Sequence, residues 1–171
     1  MNRILTGIIT LLFFACGPKS SQEPVVKGDS AIYFPYPAIY TESYGKGKTN
    51  QAAVVLHFWK EWEHGDVRKL RDAFADTVFL ALPERVFRGK ADSVLSLLEE
   101  RRRQYADVQL FVDSWLPVRA NDPGEDLVLL WGRQDATRPN GIRDYHVIHE
   151  IWRFDNQGKI KALNQYRTHP Y

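Results

Sequence analysis

The closing stretch of this chain decides its fold. Residues 143–167 read RDYHVIHEIWRFDNQGKIKALNQYR. Two runs rich in β-branched and aromatic residues flank Asp155-Asn-Gln-Gly158, a segment in which the glycine can take a positive φ. This pattern predicts a β-hairpin. The other elements are expected to pack against this pair of strands.

Apolar and polar residues also alternate with a period of two before the hairpin. This alternation predicts strands over Val108–Arg119 and Leu127–Thr137, which are separated and followed by Gly- and Pro-containing turns. Pro117 lies inside the first of these runs and indicates a bulge or a sheet edge. The four strands together predict an antiparallel meander.

The first part of the domain has a helical period. Predicted helices cover Gln51–Glu63, Val67–Ala75 (with Asp66 as its cap) and Ala91–Gln104, and Thr77–Leu82 is a predicted strand. Arg101, Arg102 and Arg103 fall in the last turn of the third helix, where cations suit the helix dipole. Three helices packed on one face of a curved antiparallel sheet give an α+β fold.

Composition limits the function classes. A chain of 171 residues with 44% hydrophobic content accommodates one globular domain plus accessory segments. A formal net charge of +2 provides no strong field for nucleic acid, so no nucleic-acid partner is expected. The single cysteine excludes an internal disulfide and any Cys/His zinc spacing.

That cysteine follows a short positive segment, Met1–Arg3, and an apolar run, Ile4–Phe14, which is too short to span a bilayer as a helix. The sequence Phe13-Phe-Ala-Cys16-Gly resembles a bacterial lipoprotein signal. The resemblance implies that residues 1–15 are a signal peptide and that Cys16 carries acyl chains such as palmitate. The mature chain would then be lipid-anchored in the cell envelope, at the outer membrane if the cell has one. The alternative is an ordinary secretory signal that contains a cysteine.

Residues 16–49 have no helical period and form a predicted tether. Its middle, residues 31–40, is rich in aromatic residues and poorly suited to free solution. We expect this segment to lie extended against the domain, along a sheet edge. The alternative is a strip that binds a partner.

Residues 50–171 resemble the nuclear transport factor 2-like (NTF2-like) superfamily, in particular its SnoaL-like and ketosteroid-isomerase-like bacterial members. The resemblance is carried by Phe58-Trp59 and Trp62 before Gly65-Asp66, by Leu70 through Asp76, by Gly89, and by Trp152 through Ile160. It implies a cone-shaped antiparallel sheet around a long helix (a cystatin-like α+β barrel). The cone would enclose a pocket open at one end, often with sheet-to-sheet dimerisation.

The isomerase chemistry of that superfamily carries over only in part. The resemblance places Phe58 where a tyrosine donates to the developing oxyanion, and Leu82, before Pro83, where an aspartate acts as the base. The third group in ketosteroid isomerases is a carboxylic acid that its apolar site keeps neutral, so that it can donate a hydrogen bond. Its matching position here is Glu150. One of three groups remains, which argues against steroid-type isomerisation.

Strand alternation extends the predicted pocket. If Glu150 faces inward, His146, Ile148 and Trp152 share its face, and the resemblance turns Leu163, Gln165 and Arg167 inward. A buried Glu150 needs a partner or must be neutral, and Arg167 is the expected partner. Three roles stay open for Glu150: a self-satisfied core pair, a ligand-binding group, or a catalytic acid/base. The complete predicted pocket comprises Phe58, Trp59, Trp62, Leu82, His146, Ile148, Trp152, Leu163, Gln165 and Arg167 around Glu150.

The sequence predicts no metal site and no cofactor. His146 and His149 should point to opposite faces of a strand, and His57 lies outside the inward helix stripe. Asp113, Asp135 and Asp144 are further candidates for the cavity.

The leading hypothesis is a membrane-tethered, non-catalytic protein that binds a small, partly apolar molecule or a partner. A lyase, isomerase or hydrolase that uses Glu150 is the alternative. A third hypothesis is a structural homodimer joined through the outer sheet face, with Tyr145, Val147, His149 and Ile151 as its contact surface.

Overall fold

The computed structural model describes residues 35–168. The predicted signal peptide, Cys16, the aromatic residues before Pro35 and the tail from His169 lie outside the described residues. Within the described part of the chain, no helix is both long enough and apolar enough to cross a membrane.

Seven strands, two α-helices and one 3₁₀ helix make up the domain. In chain order they are β1 (Tyr44–Lys46), α1 (Thr49–His64), the 3₁₀ helix (Val67–Ala73), β2 (Phe74–Leu82), β3 (Arg85–Lys90), α2 (Ala91–Arg102), β4 (Asp107–Ala120), β5 (Glu125–Thr137), β6 (Arg143–Phe154) and β7 (Ile160–Thr168).

The strands form one sheet in the order β1-β4-β5-β6-β7-β2-β3. All neighbours are antiparallel except β2 and β7, which run parallel. The predicted α+β layout with a meander from β4 to β7 is therefore confirmed. The turn of the closing hairpin is also as predicted, since Gly158 has φ of 79°.

Two local expectations were wrong, and one strand was not predicted. The second helix is a 3₁₀ helix that ends at Ala73, because Phe74 already begins β2 beside Ile160 of β7. Asp66 makes no side-chain cap and instead pairs with Lys69 at 3.1 Å. The strand that was not predicted is β3, at residues 85–90, which pairs with β2. A short, largely exposed edge strand has too few apolar residues to show a clear period.

The main core lies between α1, α2 and the inner face of the sheet. Helix α1 buries Val55, Phe58, Trp59 and Trp62, as its periodicity predicts. Gly132 of β5 allows the helix to come close, because a Cβ at that position would lie 2.6 Å from the Trp59 ring.

Arg102 joins the two helices. Its guanidinium donates to the carbonyl oxygens of Trp62 (2.7 Å), Glu63 (3.0 Å) and Tyr105 (2.9 Å). Helix α1 ends directly after the first two of these residues, with Gly65 in the left-handed region at φ 86°. Arg102 thus satisfies carbonyls at the end of α1, and its role extends beyond the expected interaction with the dipole of its own helix.

Residues just before α1 pack on the sheet. β1 pairs with β4 at Val118–Ala120, so this part of the predicted tether lies along a sheet edge, next to Pro117. Tyr40 packs on the outer face with Val118, Leu127 and Ile151.

The outer face also carries the predicted dimer surface. Val147 is exposed, and His149 stacks between Trp131 and Tyr166, with ring centroids 4.8 and 5.9 Å apart. Ile151 packs against the cluster that Tyr40 covers. The dimer itself stays a prediction.

Candidate functional site

Glu150 lies at the centre of the inner sheet face, on β6, and is 3% exposed. Its carboxyl accepts hydrogen bonds from uncharged donors. The indole N–H groups of Trp59 (2.6 Å) and Trp152 (2.8 Å) both donate to Oε2, and the Gln165 amide donates to Oε1 at 2.7 Å. The expectation that Glu150 faces inward is met by this geometry.

Burial raises the pKa of Glu150 above its ordinary value, because the charged form loses its hydration. The three N–H donors and the more distant Arg101 oppose that rise in the pKa, and desolvation is the larger effect. Such a carboxyl favours its neutral form more than a glutamate in water does.

Gln165 connects this buried carboxyl to a cation. Arg101 Nη2 donates to Gln165 Oε1 at 2.8 Å, and the other end of the same amide donates to Glu150. This chain of donors fixes the amide orientation of Gln165. The Arg101 guanidinium also lies over the Trp62 ring, 5.8 Å from its centroid.

Arg167 is not the partner of Glu150, contrary to the sequence-based expectation. Both Arg167 and Arg101 pair with Glu84, at 3.6 and 2.8 Å. Glu84 lies in the turn between β2 and β3, and its side chain is 42% exposed, against 20% for Arg167 and 12% for Arg101. Gln165 occupies the position beside Glu150 because these two residues are paired directly in the β6–β7 register.

A narrow recess reaches from these arginines toward Glu150. It encloses about 480 Å³ of space free of protein atoms, its open mouth included, but only about 20 Å³ is open to the centre of a water molecule. The volume of about 20 Å³ is the space that a molecule can enter without any movement of the side chains, and it holds about one water. The lining consists of Phe58, Trp59, Trp62, Leu98, Arg101, Tyr105, Leu110, Gln134, Ile148, Glu150, Leu163, Gln165 and Arg167.

Three predicted pocket residues are buried but do not line this recess. Leu82 ends β2 within the core. Trp152 is fully buried beneath Phe58, with ring centroids 5.0 Å apart, and only its N–H reaches Glu150. His146 is buried opposite Gln134 in the β5–β6 register, four residues before Glu150.

The three candidate aspartates also lie away from the recess. Each pairs with an arginine: Asp113 with Arg133, Asp135 with Arg143, and Asp144 with Arg138. Among residues 35–168, no group of three or more His, Cys, Asp or Glu side chains could hold a metal ion. His57 is exposed on α1.

Sequence reasoning missed Arg101 as a recess residue. The position of the arginine run at the end of α2 predicts only an interaction with the helix dipole. Arg101 follows Leu98 by three residues and Val94 by seven, so it lies on the inward stripe of α2. That spacing was the available signal. Nothing in the local sequence indicates that Glu84 reaches the same place.

No family model matches this sequence, and no curated protein matches it. Solved structures with a similar fold are numerous. An NTF2-like protein of unknown function from Exiguobacterium is 13% identical, with a TM-score of 0.57 over 67% of this chain and 98% of that one. An NTF2-like protein of unknown function from Burkholderia pseudomallei is 17% identical, with a TM-score of 0.58 over 71% and 92% of the two chains.

A protein from Shewanella denitrificans, described as a SnoaL-like polyketide cyclase, is 11% identical, with a TM-score of 0.57 over 71% of this chain and 92% of that one. At these identities the similarity establishes the fold and leaves the activity open. The NTF2-like fold that the sequence resemblance implies is thereby confirmed.

Proposed function

We propose that this NTF2-like domain is a non-catalytic binding module that admits a small, partly apolar molecule to the recess below Arg101 and Arg167. The observation that carries the proposal is an apolar-walled recess whose inner polar group, Glu150, is already hydrogen-bonded to Trp59, Trp152 and Gln165. Apolar walls with a few fixed polar groups are typical of small-molecule sites.

Two features favour binding over catalysis. Phe58 has no proton to donate, and Leu82 has no group that could accept one. In the described lining, Glu150 is the only carboxyl group, and no histidine is present. A general acid without a second group to remove a proton is poorly equipped for the isomerase-type reaction.

The alternative function, an enzyme that uses Glu150 as an acid or base, is supported by its burial and its raised pKa. It requires turnover that disappears in Glu150→Gln. Turnover that is unchanged in that variant would remove this alternative.

Binding is tested with the full chain in lipid nanodiscs, by isothermal titration calorimetry against a set of small apolar molecules with different polar head groups. We expect saturable heat with at least one probe. The matched control is Leu98→Trp, which fills the recess from α2 and should abolish that heat. Absence of saturable binding by the folded chain to every probe would contradict the proposal.

We also propose that the chain is a lipoprotein of the bacterial cell envelope, anchored through Cys16. The basis is the signal-like sequence before that cysteine. Several acyl chains on one residue anchor a protein firmly, since each buried CH₂ contributes about 0.8 kcal/mol. Cys16→Ser should lose incorporation of an alkyne-labelled palmitate and leave the membrane fraction, whereas Ser20→Ala should do neither. Equal labelling of the Cys16→Ser variant would contradict acylation there.

A further inference from the structure

The mouth of the recess holds more positive than negative charge. Arg101 and Arg167 both face Glu84, and the next carboxyl, Glu150, lies deeper and is held by uncharged donors. Arg101 is mostly buried, and Arg167 lies close enough to act on it as a like charge. Two cations therefore share a single surface carboxylate.

That carboxylate is the most exposed member of the cluster. Glu84 reaches Arg101 Nε at 2.8 Å and Arg167 Nη2 at 3.6 Å, from a two-residue turn between β2 and β3. The Glu84 side chain is 42% exposed, so its carboxylate is readily hydrated when it moves into solvent, and the main cost of that movement is the anion that the mostly buried Arg101 loses. Entry of a ligand also requires the lining side chains to rearrange, because the recess now admits about one water.

We infer that the ligand of this recess is an apolar monocarboxylate, whose carboxylate replaces Glu84 on Arg101 and Arg167 while its apolar part enters the recess. This inference rests on the proposed binding function and adds the ligand class and the residues that select it. An incoming carboxylate keeps both guanidinium groups paired. An uncharged ligand that displaced Glu84 would leave a buried cation without an anion, which is strongly unfavourable.

The walls agree with this ligand class. Trp62, Leu98 and Leu163 form apolar sides next to Arg101, and Tyr105 and Leu110 extend them. The planar guanidinium of Arg101 offers a fork of donors that matches a carboxylate. Burial raises the pKa of Glu150, so this group repels a bound carboxylate less than an exposed glutamate at the same place would.

The test compares two probes of the same shape, 4-phenylbutanoate and 4-phenylbutanamide, by calorimetry on the full chain in nanodiscs, with empty nanodiscs subtracted. We expect the carboxylate to bind at least about tenfold more tightly than the amide, because charge-assisted hydrogen bonds are about twice as strong as neutral ones. Added salt should weaken the binding of the carboxylate and leave that of the amide unchanged.

Three variants test whether Glu84 and Arg101 produce the preference for the carboxylate over the amide. Glu84→Gln removes the competing carboxylate and should tighten 4-phenylbutanoate binding several-fold with little effect on the amide. Arg101→Gln should reduce the preference for the carboxylate to near unity. Arg103→Gln, an exposed arginine of the same run, should change neither affinity. The Glu84 variant keeps the test valid if Arg101→Gln does not fold.

The outcomes separate the two proposals. Equal affinity for acid and amide, or an unchanged acid affinity in Glu84→Gln, would overturn the inference and leave the binding function standing. Binding of neither probe nor of any other small apolar molecule would overturn both.

Discussion

Replacing Glu150 by alanine is expected to lower the free energy of unfolding by about 3–4 kcal/mol. The change leaves the indole N–H groups of Trp59 and Trp152 and the amide of Gln165 without acceptors in a buried site. Each unsatisfied buried donor costs about 1–3 kcal/mol, and water that enters the new space recovers part of it. Urea unfolding of the full chain measures the loss, and Glu42→Ala, at an exposed acid, is the control with a change below about 0.5 kcal/mol. A loss below about 1 kcal/mol for Glu150→Ala would contradict the central role of this carboxyl.

Glu150→Gln separates charge from hydrogen bonding. Its oxygen can still accept from both indoles, but its NH₂ meets the NH₂ of Gln165, whose orientation Arg101 fixes. We expect a smaller loss of about 1–2 kcal/mol.

The wild type and the Glu150→Gln variant should also differ in how the free energy of unfolding depends on pH. Because the folded-state pKa of Glu150 is raised, its contribution to stability is complete below the unfolded-state pKa and is lost as pH rises through the folded-state pKa. The stability of the wild type relative to Glu150→Gln should therefore decline with rising pH above the ordinary range of a glutamate. A difference in the free energy of unfolding that stays constant across that pH range would show that burial does not raise the pKa of Glu150.

Much of the fold could be predicted from the sequence, because most of its helices and strands have a clear hydrophobic period. The inward stripe of α1 and the alternation along β6 place Phe58, Trp59, Trp62 and Glu150 in the core, and the structure has them there. Edge elements lacked such signals. β1 has three residues and β3 six, and both depend on pairing with strands that lie elsewhere in the chain. The residues of β1 and β3 alone therefore do not predict that these segments pair as strands.

The site was harder to predict than the fold, for a physical reason. Alternation gives the face on which a side chain lies, but hydrogen-bond partners depend on register and on how each side chain is rotated. Arg167 and Gln165 share the inner face of β7, so charge favoured Arg167 as the partner of Glu150. The observed register sets Gln165 opposite Glu150, and Glu84 from a remote hairpin turn takes the arginine. Charge complementarity alone cannot choose between two residues on one face.

Gly132→Ala is expected to lower the free energy of unfolding by about 3 kcal/mol, the upper part of the range for an overpacked core. A Cβ there would lie 2.5 Å from the carbonyl oxygen of Phe111 and 2.6 Å from the Trp59 ring. Neither atom is free to yield, because one belongs to the backbone of β4 and the other to an indole that donates to Glu150 at 2.6 Å. Gly45→Ala is the matched control in a strand: its added Cβ meets only the side-chain oxygen of Asn121, at 3.1 Å, and should cost less than about 1 kcal/mol.

A double-mutant cycle with Trp59→Phe then tests whether helix and sheet are coupled through this contact. Phenylalanine lacks the ring atoms that Gly132 accommodates, so the alanine should be less destabilising in that background than in the wild type. The recovery should be partial, because the clash with the Phe111 carbonyl remains. Strictly additive losses in the free energy of unfolding would mean that the packing of Trp59 does not depend on Gly132. In that case the helix would approach the sheet for another reason, and the position of the indole beside Glu150 would not be set by Gly132.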